Sequence, residues 1–92
     1  MRTRYLVCYD IADERRLTRV YRYLKGRGIH MQYSVFLCSL TWPELDSLKA
    51  DLAELIDESA DDVRLYPIPS GEAIEALGCP DLVPEGAAVF LP

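Results

Sequence analysis

The apolar positions of this chain change period several times, and each change marks an element. Residues 3–9, Thr-Arg-Tyr-Leu-Val-Cys-Tyr, form a β-branched and aromatic run too short for a helix, which predicts a buried strand. Asp10-Ile11-Ala12 leaves that strand. Asp13 is placed to cap a helix, and Glu14 in its first turn suits the positive end of the helix dipole. From there to Lys25, the residues Leu17, Val20, Tyr21 and Leu24 recur at i, i+3, i+4 and i+7, one apolar helical stripe. Gly26 and Gly28 supply its stop. Residues 29–40 have strand character throughout, but a run of twelve exceeds a usual strand. Two short strands with a tight reversal at residues 32–34 are expected, although the Gly and Asn that favour such turns are missing. Thr41-Trp42-Pro43-Glu44 then opens a second helix. Thr41 and Glu44 match a capping box, and a first turn tolerates Pro43. Its stripe is Leu45, Leu48, Leu52, Leu55 and Ile56, and its outer face is acidic. Asp61-Asp62 read as a turn, and residues 63–68 as the last clear strand.

The order strand, helix, strand, strand, helix, strand predicts an α+β, ferredoxin-like β-α-β-β-α-β sandwich over residues 1–68, an antiparallel sheet with both helices on one face. Residues 69–92 read as a C-terminal extension. They are punctuated by Ser70-Gly71, Gly78-Cys79-Pro80 and Pro84-Glu85-Gly86, with one helical turn at 72–77 and a short strand at 87–91. A tail strand cannot stand alone, so it is expected to add to a sheet edge, its own or a dimer partner's. The sheet face without helices is expected to be apolar, and pairing of two copies would hide it.

Composition narrows the class. With 92 residues, half of them apolar, the chain builds one small core. No apolar run approaches the roughly 20 residues of a membrane span, and no signal peptide is visible, so no membrane partner and a cytoplasmic location are expected. Cys8, Cys38 and Cys79 form no CxxC pair and no zinc spacing with the lone His30. Charge is unevenly divided. Residues 1–30 carry eight of the ten Lys and Arg against three acids, whereas residues 31–92 carry two bases against twelve acids, within a net charge of −5. One face suits an anionic partner and another repels it. Arg15, Arg19 and Arg22 fall on one helix face without the mixed signs that i,i+4 pairing favours, with Arg16 and Arg27 beside them. That pattern fits contact with phosphates, directed at the backbone and not at base sequence.

Asp10 ends the first strand, where a carboxylate is well placed to reach a cation or ligand. It also fits a turn-forming aspartate bonded to its own backbone, and the residue type leaves both open. A single carboxylate holds Mg²⁺ weakly, since the ion wants six oxygens. A two-fold axis near the strand end would let two copies of Asp10 share one ion. Tyr9 is either core or a base-stacking platform. His30 reads as structural, and Ser34 has no triad around it.

Tyr9-Asp10-Ile11, an Arg-rich helix closing at Gly28, Gln32-Tyr33-Ser34-Val35-Phe36 and Asp62-Val63-Arg64-Leu65-Tyr66 together resemble the CRISPR-associated Cas-two family over residues 3–68. The resemblance implies a ferredoxin-like homodimer. It implies a spacer-acquisition subunit that partners the Cas-one integrase, with Mg²⁺-dependent endonuclease activity on single-stranded RNA or double-stranded DNA. It makes Asp10 the metal-binding and catalytic aspartate, and it sets Tyr9, Arg15, Arg16, Arg19 and Phe36 around the nucleic-acid surface. Two other readings stand beside it: a non-catalytic DNA-bridging scaffold, and a toxin-type ribonuclease related to the virulence-associated family D. The chain departs from the family pattern at Leu37-Cys38, where many members carry an acid.

Overall fold

A computed structural model of the chain describes residues 1–69, so the expected helical turn at 72–77 and tail strand at 87–91 lie outside the described residues. The elements are β1 (Thr3–Asp10), α1 (Glu14–Lys25), β2 (Ile29–Gln32), β3 (Val35–Leu40), α2 (Trp42–Leu55) and β4 (Asp62–Ile68). The sheet runs β2-β3-β1-β4 with every neighbouring pair antiparallel. This is the ferredoxin-like order predicted from the pattern.

Local chemistry sets the helix starts. The Asp13 side chain accepts from Arg16 N at 3.0 Å and so fills one orphan donor of α1. At α2 the capping box is complete: Glu44 N donates to Thr41 Oγ1 at 3.3 Å and Thr41 N donates to Glu44 Oε1 at 2.8 Å. Arg2 then donates to both Glu44 oxygens, at 2.7 and 3.2 Å, tying the start of the chain to the start of α2. Tyr23 of α1 donates to Asp51 of α2 at 2.5 Å, linking the two helices.

The glycines act differently from expectation. Gly26 caps α1 with φ −82°, a right-handed conformation open to any residue. Gly28 is needed for space: a Cβ there would lie 2.4 Å from the Leu37 carbonyl oxygen and 2.6 Å from Cys38 Sγ. The chain enters β2 against the β3 backbone, and only hydrogen fits between them. The β2–β3 reversal takes two residues, Tyr33 and Ser34, as expected from its position. Tyr33 itself adopts φ +44°, the conformation usually left to Gly or Asn.

Strand alternation divides the sheet into two faces. Tyr5, Val7 and Tyr9 of β1 stand beside Cys38 and Phe36 of β3 and beside Pro67, Leu65 and Val63 of β4. On this face the helices add Val20, Leu24, Leu45, Leu48 and Leu52 to one core. Phe36 is its hub, 0% exposed, with the rings of His30, Tyr21 and Tyr9 at 5.0, 5.6 and 6.2 Å. The opposite face carries Leu6 and Cys8 of β1, Val35 and Leu37 of β3, and Tyr66 and Ile68 of β4. The centre of this face is apolar, as the sequence predicts, and its two ends are polar, with Arg4 and Ser39 at one and Arg64 and Asp62 at the other. Asp10 belongs to this face too.

Chemical denaturation tests the packing. Phe36→Ala is expected to cost about 3–5 kcal/mol. Gly28→Ala, which forces a methyl against a backbone carbonyl, is expected to cost about 1–3 kcal/mol. A loss well below 1 kcal/mol at Gly28 would contradict the close approach.

Candidate functional site

Asp10 is the last residue of β1, exposed, and aligned in register with Asp62, the first residue of β4. Directly opposed residues on neighbouring strands bring their Cβ atoms to about 4.5–5.5 Å, so two carboxylates share this corner. Like charges in that position repel, and Arg64 offsets the repulsion: its Nε donates to Asp62 Oδ2 at 2.8 Å. The sequence pattern assigns Asp61-Asp62 to a turn. The structure corrects this, because β4 begins one residue earlier and pairs Asp62 with Asp10. Strand register carries that information, and a single sequence does not reveal register between strands separated by fifty residues.

Asp61 is the other residue that the pattern undervalues. Its side chain is 0% exposed. It accepts from Arg16 Nε at 2.7 Å and Nη2 at 3.1 Å, from Ala12 N at 2.8 Å and from Asp57 N at 2.9 Å. The loop after Asp10, the first turn of α1 and the turn before β4 are thereby fastened to one carboxylate. The Arg16 guanidinium holds the Asp61 carboxyl well below the usual carboxylate range, against the opposing effect of burial, with the Asp57 and Ala12 amides assisting.

These contacts redistribute the roles expected of the other residues. Arg16 is bonded to Asp61 through two nitrogens, so its guanidinium serves the fold, with the side chain 26% exposed. Tyr9 is 6% exposed and Phe36 is fully buried, so neither offers a ring to a nucleotide. Their aromatic character is used in the core. Arg15, Arg19 and Arg22 are exposed and make no ion pair among the described residues. They point away from the stripe of Val20 and Leu24 that meets the sheet. The cations therefore line the outer side of the helix layer, and Asp10 lies on the far face of the sheet.

His30 is structural, as expected. Its Nε2 donates to the Tyr33 carbonyl at 2.6 Å. Burial pushes the Cys8 thiol up to about 11, which keeps it protonated at neutral pH and removes it as a nucleophile. Among the described residues no group of three His, Cys, Asp or Glu side chains could hold a metal ion. A pocket of about 370 Å³ lined by Arg2, Arg27, Leu40 and Glu44 lies at the opposite end of β1 from Asp10. No described helix is long and apolar enough to cross a membrane.

The Asp61 contacts predict an acid-labile fold. Its folded pKa lies below its unfolded value, so the stabilisation is present above about pH 4 and is lost as pH falls below that. Thermal melts should show Tm falling from about pH 5 to 3 in the wild type. Asp61→Asn should lower Tm at pH 7 and flatten that slope. Parallel curves for the two proteins would contradict the assignment.

Comparison with known proteins gives the same frame. The family model for CRISPR associated protein Cas2 matches residues 1–74. The chain is 54% identical over 90 residues to the CRISPR-associated endoribonuclease Cas2 2 of Thermodesulfovibrio yellowstonii, covering 98% of this chain and 99% of that one. It is 48% identical over 82 residues to the CRISPR-associated endoribonuclease Cas2 1 of Nitrosomonas europaea, covering 89% and 77%. Among solved structures, the hypothetical protein TT1823 from Thermus thermophilus superimposes with a TM-score of 0.74 at 34% identity, over 76% of this chain and 85% of that one. Streptococcus pyogenes Cas2 does so with 0.69 at 34% identity, over 74% and 88%.

Proposed function

Because this chain belongs to the family of CRISPR associated protein Cas2, we propose that it is a homodimeric nucleic-acid-binding protein that cuts phosphodiester bonds with Mg²⁺ and serves spacer acquisition with the Cas-one integrase. The endoribonuclease names of the relatives at 54% and 48% identity favour RNA as the first substrate, with double-stranded DNA second. The observation that carries the chemistry is the exposed Asp10 carboxylate at the end of β1, on the sheet face opposite the helices.

The donor set fits the ion. Asp10 and Asp62 are hard oxygen donors, and Mg²⁺ is commonly bound by one or two carboxylates with water and substrate phosphate completing its shell. Asp62 is already paired with Arg64, so among the described residues one chain has a single uncommitted carboxylate at this corner, Asp10. A second copy docked on the same apolar face would bring a second Asp10. A bound Mg²⁺ would supply charge to stabilise the reacting phosphoryl group. The chain's own groups do the rest. Asp10 holds the ion, Arg15, Arg19 and Arg22 neutralise phosphates along the strand, and Asp61 fixes the loop that follows Asp10.

The scaffold reading is favoured by one feature, the location of the Arg stripe on the side of the molecule away from Asp10, because backbone binding there needs no carboxylate. Labelled RNA and DNA incubated with Mg²⁺ or EDTA separate the two. Asp10→Asn is expected to lower Mg²⁺-dependent cleavage by about 100-fold or more while leaving binding in EDTA intact. Wild-type protein that binds but never cuts would establish the bridge instead, and an Asp10→Asn protein that cuts at the wild-type rate would sink the catalytic role. Arg19→Ala is expected to reduce the salt slope of binding by about 0.7–0.9 of a charge, measured by titration at several salt concentrations. An unchanged slope would remove α1 from the interface.

A further inference from the structure

Tyr33 is the residue that the core, the caps and the carboxylate corner leave unexplained. It is 88% exposed, yet it sits in the two-residue β2–β3 turn with φ +44°. Glycine or asparagine would occupy that conformation with little strain, and a bulky aromatic residue does not. Among the described residues a strained, solvated tyrosine gains nothing for the fold from its ring, so the ring's use lies beyond them.

The surroundings fix where the ring is presented. His30 Nε2 donates to the Tyr33 carbonyl at 2.6 Å. A carbonyl only accepts, so Nε2 carries the hydrogen. The His30 ring is itself packed against Phe36 at 5.0 Å and Tyr21 at 5.4 Å. The turn is thus anchored to the core through an imidazole. Ser34, the other turn residue, accepts from Tyr9 N at 3.1 Å, and Tyr9 immediately precedes Asp10. Tyr33 therefore stands at the Asp10 end of the sheet. The exposed Trp42, by contrast, begins α2 just after the opposite end of β3.

We propose that Tyr33 is a stacking platform for one unpaired base of a single-stranded nucleic acid bound at the Asp10 end of the sheet. This rests on the nucleic-acid function proposed above and adds a base-contacting residue to it. A lone ring at a turn is too small a surface to hold a protein partner, whereas a nucleobase needs only one π face. Bases inside a duplex already stack on each other, so the platform selects for single strands.

The test measures binding of the full-length chain in EDTA, by fluorescence anisotropy, to an oligouridine RNA and to an abasic ribose-phosphate strand of the same length. Tyr33→Gly is expected to weaken oligouridine binding about 5- to 100-fold and to leave binding of the abasic strand unchanged. Its Tm is expected to stay level or rise, because glycine relieves the positive φ. Tyr33→Phe is expected to bind as the wild type does. Equal weakening for both strands, or no weakening for oligouridine, overturns the inference and leaves the broader function standing. So does a change in oligomeric state caused by Tyr33→Gly, since the ring would then be a contact between copies. Wild-type protein that binds neither strand overturns both readings.

Discussion

The architecture depends on the contact between Asp61 and Arg16. Burying a carboxylate is costly unless its charge is paired and its lone pairs are filled. Asp61 meets both conditions, with a guanidinium on two nitrogens and two backbone amides. Each donor comes from a different part of the chain: the loop after β1, the first turn of α1 and the turn leading to β4. Loops at the end of a sheet are ordinarily its loosest parts. Here the buried carboxylate fastens them, so Asp10 and the Arg-bearing helix keep fixed positions relative to one another.

That arrangement gives the uneven charge of the sequence a spatial meaning. The basic residues of α1 line the outside of the helix layer, and the exposed Asp10 belongs to the other face of the sheet, beside the apolar strip of Leu6, Leu37 and Tyr66. The Arg15, Arg19 and Arg22 stripe and the Asp10 carboxylate are kept on separate sides, and the cation beside Asp10, Arg64, is bonded to Asp62. Attraction of a phosphate backbone to the helix side then leaves the Asp10 charge un-neutralised, on the face where the proposed second copy would approach. Arg64 moderates the one unfavourable consequence, the juxtaposition of Asp62 with Asp10.

Much of this was legible in the sequence, because it rests on local periodicity. The stripes of α1 and α2, the Asp13 cap, the Thr41–Glu44 capping box and the two-residue reversal all follow from spacing of a few residues. The strand order followed from element order. What was not legible depends on contacts between distant segments. Asp61 looked like half of an ordinary turn until Arg16, forty-five residues earlier, closed on it. Asp62 gained its meaning from β1–β4 register. Tyr9 and Phe36 carry the composition of a stacking surface and of a core equally well, and only packing assigns them to the core. Gly28 read as a helix stop because its true constraint, the Leu37 carbonyl, lies across a strand pair.

The central claim is that Asp10 holds a divalent ion only as a pair, one carboxylate from each of two copies. Calorimetric titration of the purified protein with Mg²⁺ measures this most directly, with sedimentation confirming the oligomeric state. The account predicts one ion for every two chains in the wild type and no binding to Asp10→Asn. One ion for each chain, or binding that survives Asp10→Asn, would contradict it.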